Sequence, residues 1–233
     1  MIRGGYFDAG NTLIFPDYTI YREVAAELGI AVETDDAVRA EALARSSFDR
    51  AVSSSPDGRD VMSFWDIYYT PFYRSLGVPD DRIDEAIDRT REANDSGLGI
   101  WKVPVDGYRK TMDGLRERVD VIGIISNSDG RLDDRLRGIG IRDDFDFVID
   151  SAVIGVSKPA PAIFSAAIDL GGLPASDVAY VGDYYAVDVV GARGAGIHPV
   201  LFDPVRAYDD VDCDVIRSFP EVLRYVDTWK ESA

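Results

Sequence analysis

Short apolar runs that each close on a polar residue are what most limits the folds open to this chain. The first is YFDAGNTLI, where Asp8 ends the run and a glycine-containing turn follows. The others are VIGIISNSDG with Ser126, VSKPAPAIF with Lys158, and VAYVGDYYAVD with Asp183 and Asp188. Stretches of helical periodicity separate them. Strands that alternate with helices argue for parallel βαβ units. Strands that are apolar throughout suit a sheet covered on both faces. In such an open sheet, ligands bind outside the carboxyl ends of the strands. Asp8 stands at such an end.

The spacing predicts strands at 119–126, 145–149, 178–181 and 197–202, with a short one at 215–216. Helices are predicted at 106–118, 131–138, 161–170, 186–194 and 220–229. Residues 1–15 read as a strand and a tight loop. From 16 to 100 only helical periodicity is present. One helix is expected at 18–28, stopped by Gly29, and another at 35–52, with Val38, Leu43 and Phe48 among its apolar positions. SSSPDGRD is a loop by composition. A helix at 60–76 should bend or break at Pro71, and a last one at 79–94 opens on a proline. The expectation is an α/β fold: a Rossmann-like parallel sheet with flanking helices, 1–15 and 101–233, interrupted by an all-helical cap, 16–100. Both linkers of the insert should lie near Asp8, which is a physical reason to expect it over the site.

Composition narrows the partners. The formal net charge is −17, which repels nucleic acid and anionic membranes. It suits a solvated surface adapted to high salt, or else a surface that docks a basic partner. Only Lys102, Lys110, Lys158 and Lys230 are lysines, so a lysine followed by Pro159 stands out. The single cysteine, Cys213, excludes an internal disulfide framework and a multi-thiolate metal site. No apolar stretch is long enough to span a bilayer, and no apolar segment follows MIRGGYFDAG as a signal peptide would require. A cytoplasmic enzyme acting on a small anionic molecule is the expectation. No feature of the sequence sets an oligomeric state.

Each polar station has a plain reading of its own. Asp8 can satisfy turn donors, Ser126 and Asn127 can cap a helix, Lys158 can be solvated, and Asp183 with Asp188 can complement a helix dipole. Taken in order, however, they resemble the haloacid dehalogenase-like hydrolase superfamily, in its helical-cap subclass. That family opens on Asp-x-Asp-x-Thr after a strand, and here Asp8-Ala9-Gly10-Asn11-Thr12 stands in that place. The resemblance implies that Asp8 attacks phosphorus and forms an aspartyl-phosphate. It also implies Mg²⁺, held by the Asp8 carboxylate, the Gly10 carbonyl and the Asp183 carboxylate. Ser126 and Asn127 would donate to the phosphoryl oxygens, and Lys158 would stabilise Asp8 and the transferred group. Asp188 would orient water or pair with Lys158. Thr12 completes the first motif, and Phe15 and Tyr18 follow it closely enough to touch substrate.

One position departs from the pattern. Gly10 stands where phosphatases of the family carry a second Asp, the usual acid for the leaving oxygen and later the base for water. A positioned acid–base group contributes about 10²–10⁴-fold, and neither glycine nor the neutral amide of Asn11 supplies one. A phosphohydrolase preferring good leaving groups, a 2-haloacid dehalogenase-like enzyme and a non-catalytic Mg²⁺- and phosphate-binding protein therefore all stay open. The dehalogenases lack the Gly-Asp motif found here at Gly182-Asp183. Phosphonoacetaldehyde hydrolases need a cap lysine, and residues 16–100 contain none.

Other residues read as structural first. His198 is expected to be a satisfied strand-end residue, and Cys213, between Asp212 and Asp214, a poor nucleophile. Trp65, Tyr68, Tyr69 and Phe72 read as core of the insert. Tyr184 and Tyr185 could line a cleft, and Arg22, Arg50 and Arg59 could meet a second anionic group, although solvation is the simpler reading for each.

Overall fold

The computed structural model describes residues 1–54 and 64–231. The chain runs β1 (Gly4–Phe7), β2 (Ile14–Pro16), α1 (Tyr18–Glu27), α2 (Thr34–Ser54), α3 (Phe64–Ser75) and α4 (Ile83–Asp95). It continues with β3 (Trp101–Pro104), α5 (Tyr108–Arg116), β4 (Val121–Ser126), α6 (Leu132–Gly138), β5 (Phe147–Asp150), α7 (Ser151–Ile154) and α8 (Pro161–Gly171). It ends with β6 (Val178–Gly182), α9 (Val190–Gly194), β7 (His198–Phe202), β8 (Asp214–Ile216) and α10 (Glu221–Glu231). Two compact units result: 1–15 with 102–204 and 211–233, and 16–101 with 205–210. No helix among the described residues is long and apolar enough to cross a membrane.

The first unit holds a six-stranded sheet in the order β5-β4-β1-β6-β7-β8. Every pairing in it is parallel, which is the expected α/β fold. The three central strands are buried almost throughout, as their unbroken apolar runs require. On one face Tyr6, Ile125, Phe147, Ile149 and Tyr180 pack with Ile163, Phe164 and Ala167 of α8 and Ala192 of α9. Gly123 makes room for the Phe147 ring, since a Cβ there would lie 2.2 Å from it. Phe7 points to the other face, where its ring meets Phe219 edge-on and Phe219 stacks on Tyr108 of α5.

Several elements depart from the expected string. β2 and β3 pair as a separate two-stranded sheet at the ends of the insert, where no strand was expected. They are only three and four residues long and both contain proline, so no periodicity announces them. The expected 186–194 helix is a π-helical turn, Tyr185–Val189, followed by α9.

The second unit is built on helices. Asp17 caps α1 by accepting from the Thr19 N–H, and Gly29 ends it at φ +81°. Tyr21, Tyr68, Tyr69, Phe72 and Tyr73 fill its core, with the Trp65 ring stacked on Tyr69 at 4.9 Å. α3 runs on through Pro71 instead of breaking. Burial of Tyr68, Tyr69, Phe72 and Tyr73 around that position outweighs the roughly 3 kcal/mol that an interior proline costs. α2 buries Ala37, Ala40 and Ala44 together with Glu41, Arg45 and Asp49, while Leu43 is 56% exposed. Small alanines allow the close packing of α2 on α3. Residues 55–60 of the SSSPDGRD loop, Arg59 and positions 60–63 of the third predicted helix lie outside the described residues.

Candidate active site

Parallel register brings the polar stations together. Phe7 pairs with Ile124 on one side and Val181 on the other, so β4, β1 and β6 end nearly level. Asp8 continues the ladder by donating its N–H to the Val181 carbonyl at 2.9 Å. Neighbouring strands lie about 4.8 Å apart, so Asp8, Ser126 and the Asp183 that follows β6 emerge side by side. One carboxylate oxygen from each of Asp8, Asp183 and Asp188 falls within 4.8 Å of the other two, and all three residues are buried.

Lys158 arrives from the loop between α7 and α8. Its ammonium donates to Asp8 Oδ1 at 2.6 Å, to Asp188 Oδ1 at 2.7 Å and to the Tyr180 hydroxyl at 2.8 Å. Asn127 holds the lysine backbone from both sides. Its Nδ2 donates to the Lys158 carbonyl at 2.9 Å, and its Oδ1 accepts from the Lys158 N–H at 2.8 Å. Asp188 sits in the π-helical turn and accepts from the Tyr184 N–H at 2.9 Å. Gly182 permits that approach, because a Cβ there would meet the Asp188 Cγ at 2.4 Å.

The charges set one another. Burial pushes the Asp8 carboxyl above its ordinary value, with Lys158 and the Ser126 hydroxyl pulling it back and Asp188 adding to the rise. Burial would lower the Lys158 ammonium, but Asp188 and Asp8 outweigh it and hold it above its usual range. Three buried carboxylates thus face a single buried ammonium. Buried charge is costly unless compensated, and among these four side chains the acids outnumber the ammonium when ionised. An all-oxygen donor set of that charge fits a hard divalent cation such as Mg²⁺. Asp8 and Asp183 would hold it, and Gly10 follows Asp8 by two residues in the turn after β1.

The remaining predicted residues are distributed as follows. Thr12 and Asn11 are buried in the turn after Asp8, Asn11 at φ +53°, and neither Thr12 Oγ1 nor Asn11 Oδ1 has a hydrogen-bond partner among the described residues. Phe15 is half-buried, with its ring edge on Phe202 at 6.4 Å. Tyr18 belongs to the helical unit, where burial and Glu41 push its hydroxyl above the usual range. His198 Nε2 meets the Ser176 carbonyl at 2.8 Å, as a satisfied strand residue does. Burial, with Asp212 and Asp214 beside it, pushes the Cys213 thiol up to about 11. Tyr185 hydrogen-bonds Asp212. Arg22 donates to the Val32 carbonyl, and Arg50 to Ser47. The residue that sequence reasoning missed is Tyr180, whose hydroxyl is bound to Lys158 and donates to the Ile125 carbonyl at 3.0 Å. A buried tyrosine hydroxyl needs a partner, and a tyrosine inside an otherwise apolar strand was the available signal.

Comparison with known proteins agrees with this geometry. The chain is 32% identical to the mouse (Mus musculus) haloacid dehalogenase-like hydrolase domain-containing protein 3 over 164 residues, which is 70% of this chain and 64% of that protein. The match therefore spans less than two thirds of the mouse protein. It is also 32% identical over 119 residues to the pyrimidine 5'-nucleotidase YjjG of Escherichia coli, covering 50% of this chain and 52% of that one. Among solved structures, the magnesium-bound HAD-hydrolase YfnB of Bacillus subtilis superposes with a TM-score of 0.68 at 17% identity, over 97% of this chain and 99% of the other, a likeness of fold. The haloacid dehalogenase-like hydrolase profile matches residues 6–196, from within β1 to just beyond α9. With a parallel sheet, a helical insert after its first strand and Asp8, Lys158, Asp183 and Asp188 drawn together at the strand ends, the chain belongs to the haloacid dehalogenase-like hydrolases.

Proposed function

We propose that this hydrolase is a Mg²⁺-dependent phosphatase that acts on a small phosphorylated substrate through an aspartyl-phosphate on Asp8. The observation that carries the reading is the cluster of three buried carboxylates, Asp8, Asp183 and Asp188, each with an oxygen within 4.8 Å of the others. A divalent cation bound there would neutralise them and draw charge from the phosphoryl oxygens. Similarity to the E. coli pyrimidine 5'-nucleotidase supports a phosphate ester as substrate.

Asp8 needs no base, because a carboxylate ordinarily loses its proton well below neutral pH, and Lys158 at 2.6 Å opposes the rise that burial causes. In the first step a carboxylate oxygen of Asp8 bonds to phosphorus while the bond from phosphorus to the leaving oxygen breaks. Ser126 at the end of β4 donates toward the equatorial oxygens. Thr12, Asn127, Phe15 and Tyr18 are the substrate contacts in this reading. Asp188 holds Lys158 from behind. In the second step water attacks phosphorus, phosphate departs and the Asp8 carboxylate is restored. Gly10 gives no proton to the leaving oxygen and takes none from the water, so aryl and acyl phosphates should turn over faster than alkyl phosphates.

The test is hydrolysis of p-nitrophenyl phosphate. Turnover should require Mg²⁺, stop with EDTA and fall at least about 10³-fold in Asp8→Asn. Gly10→Asp should raise the rate on alkyl phosphates more than on p-nitrophenyl phosphate. Halide release from 2-chloropropionate in the presence of EDTA would instead make the protein a dehalogenase. Absence of both activities, with stabilisation by Mg²⁺ plus phosphate, would make it a binding protein.

A further inference from the structure

A lysine ammonium carries three N–H donors and no acceptor. All three of Lys158's have protein partners: Asp8 Oδ1, Asp188 Oδ1 and the Tyr180 hydroxyl, at 2.6, 2.7 and 2.8 Å. Two carboxylates already more than offset its single charge. The third partner is neutral and adds direction alone. Tyr180 is itself fixed: its hydroxyl reaches the Ile125 carbonyl on β4 at 3.0 Å, and its ring meets Phe164 edge-on at 5.3 Å. From β6 it therefore spans β1, the strand that ends at Asp8. Asp188 Oδ1 lies 3.0 Å from the same hydroxyl, so one oxygen touches two members of the charged cluster.

We infer that Tyr180 is a positioning residue, which acts through Lys158 by occupying its third donor and aiming the ammonium at Asp8 and Asp188. The inference rests on the proposed roles of Asp8 as nucleophile and Lys158 as its cation. Lys158 then works on the nucleophile, and donation to the phosphoryl oxygens falls to Ser126 and neighbouring backbone N–H groups. Asn127 complements Tyr180 at the other end of the lysine by clamping its backbone.

Four lysines in the whole chain make the ammonium directly observable in protein labelled with ¹⁵N-lysine. The wild type should show one ammonium signal protected from solvent exchange, absent in Lys158→Met, with a nuclear Overhauser contact to the Tyr180 ring. In Tyr180→Phe, with the fold checked by circular dichroism, exchange should speed up about tenfold or more. The kcat on p-nitrophenyl phosphate with Mg²⁺ should fall about tenfold with KM within about twofold. In a Lys158→Met background the same change should add no further loss, because the two residues act as one unit. Unchanged ammonium exchange in Tyr180→Phe, or additive losses in the double variant, would overturn the inference. If Tyr180→Phe does not fold, the wild-type Overhauser contact decides, its presence supporting the inference and its absence overturning it. If the wild type turns over no phosphate ester, the phosphatase reading fails while the ammonium spectra still decide the place of Tyr180.

Discussion

Two regions of this molecule bury charge, and they do it differently. In the helical unit, Arg45 donates twice to Glu41 Oε1, at 3.1 and 2.7 Å, and both side chains are fully buried. The pair lies one turn apart on α2, acid against base, with the Tyr68 hydroxyl also reaching Glu41 at 3.3 Å. In the sheet unit, the Lys158 ammonium bridges two of three clustered carboxylates, Asp8 after β1 and Asp188 after β6, with Asp183 beside them. Acid matched by base on one helix serves packing. Like charge gathered from distant parts of the chain costs stability and persists where a ligand compensates it. On the proposed reading the first is a structural ion pair and the second a functional cluster.

Breaking the helical pair should have the larger effect on folding. Arg45→Met strands the Glu41 carboxylate and is expected to destabilise by about 3–5 kcal/mol, read as a lowered denaturation midpoint. An Arg45→Met, Glu41→Leu double variant should recover most of the loss, since apolar replacement of a whole buried pair is often near neutral. Failure to recover would show that Arg45 serves more than its pairing with Glu41.

Gly182→Ala tests the crowded side. A Cβ 2.4 Å from Asp188 Cγ must push that carboxylate off Lys158. The expected cost is about 1–3 kcal/mol together with a fall in kcat of about tenfold or more. Activity equal to wild type would mean that the Lys158–Asp188 contact is dispensable.

The smallest effect should have the opposite sign. Asp183→Asn removes one of three crowded acids, so without Mg²⁺ it should stabilise the fold, on the order of 1 kcal/mol. Destabilisation there would place Asp183 with Glu41 and Arg45 as a structural group and weaken the comparison.

The sequence shows the two kinds of buried charge unequally. Asp8, Ser126 and Asp183 are legible because each ends or follows an apolar run that forms a strand, and parallel strands must align such ends; Lys158 and Asp188 are legible from motif order, Lys158 reaching the site from the loop between α7 and α8. Glu41 and Arg45 are not, because a charged pair at that helical spacing looks like any solvated face. Leu43 misleads for the same reason: an apolar residue on α2 invites burial, while the alanines beside it make the contact. β2 and β3 are too short to show a period, and Pro71 shows its local cost but not the packing that overrides it. Tyr180 is hidden as an ordinary strand residue until the Lys158 ammonium is found on its hydroxyl.

The central claim is that Asp8, Asp183 and Asp188 form a site for a divalent cation. Its most direct test is thermal unfolding of wild type and Asp183→Asn across a Mg²⁺ titration. The account predicts a rise in Tm of several degrees for the wild type, following the logarithm of Mg²⁺ above its dissociation constant, and little or none for the variant. Equal responses in the two proteins, or no response in either, would contradict it.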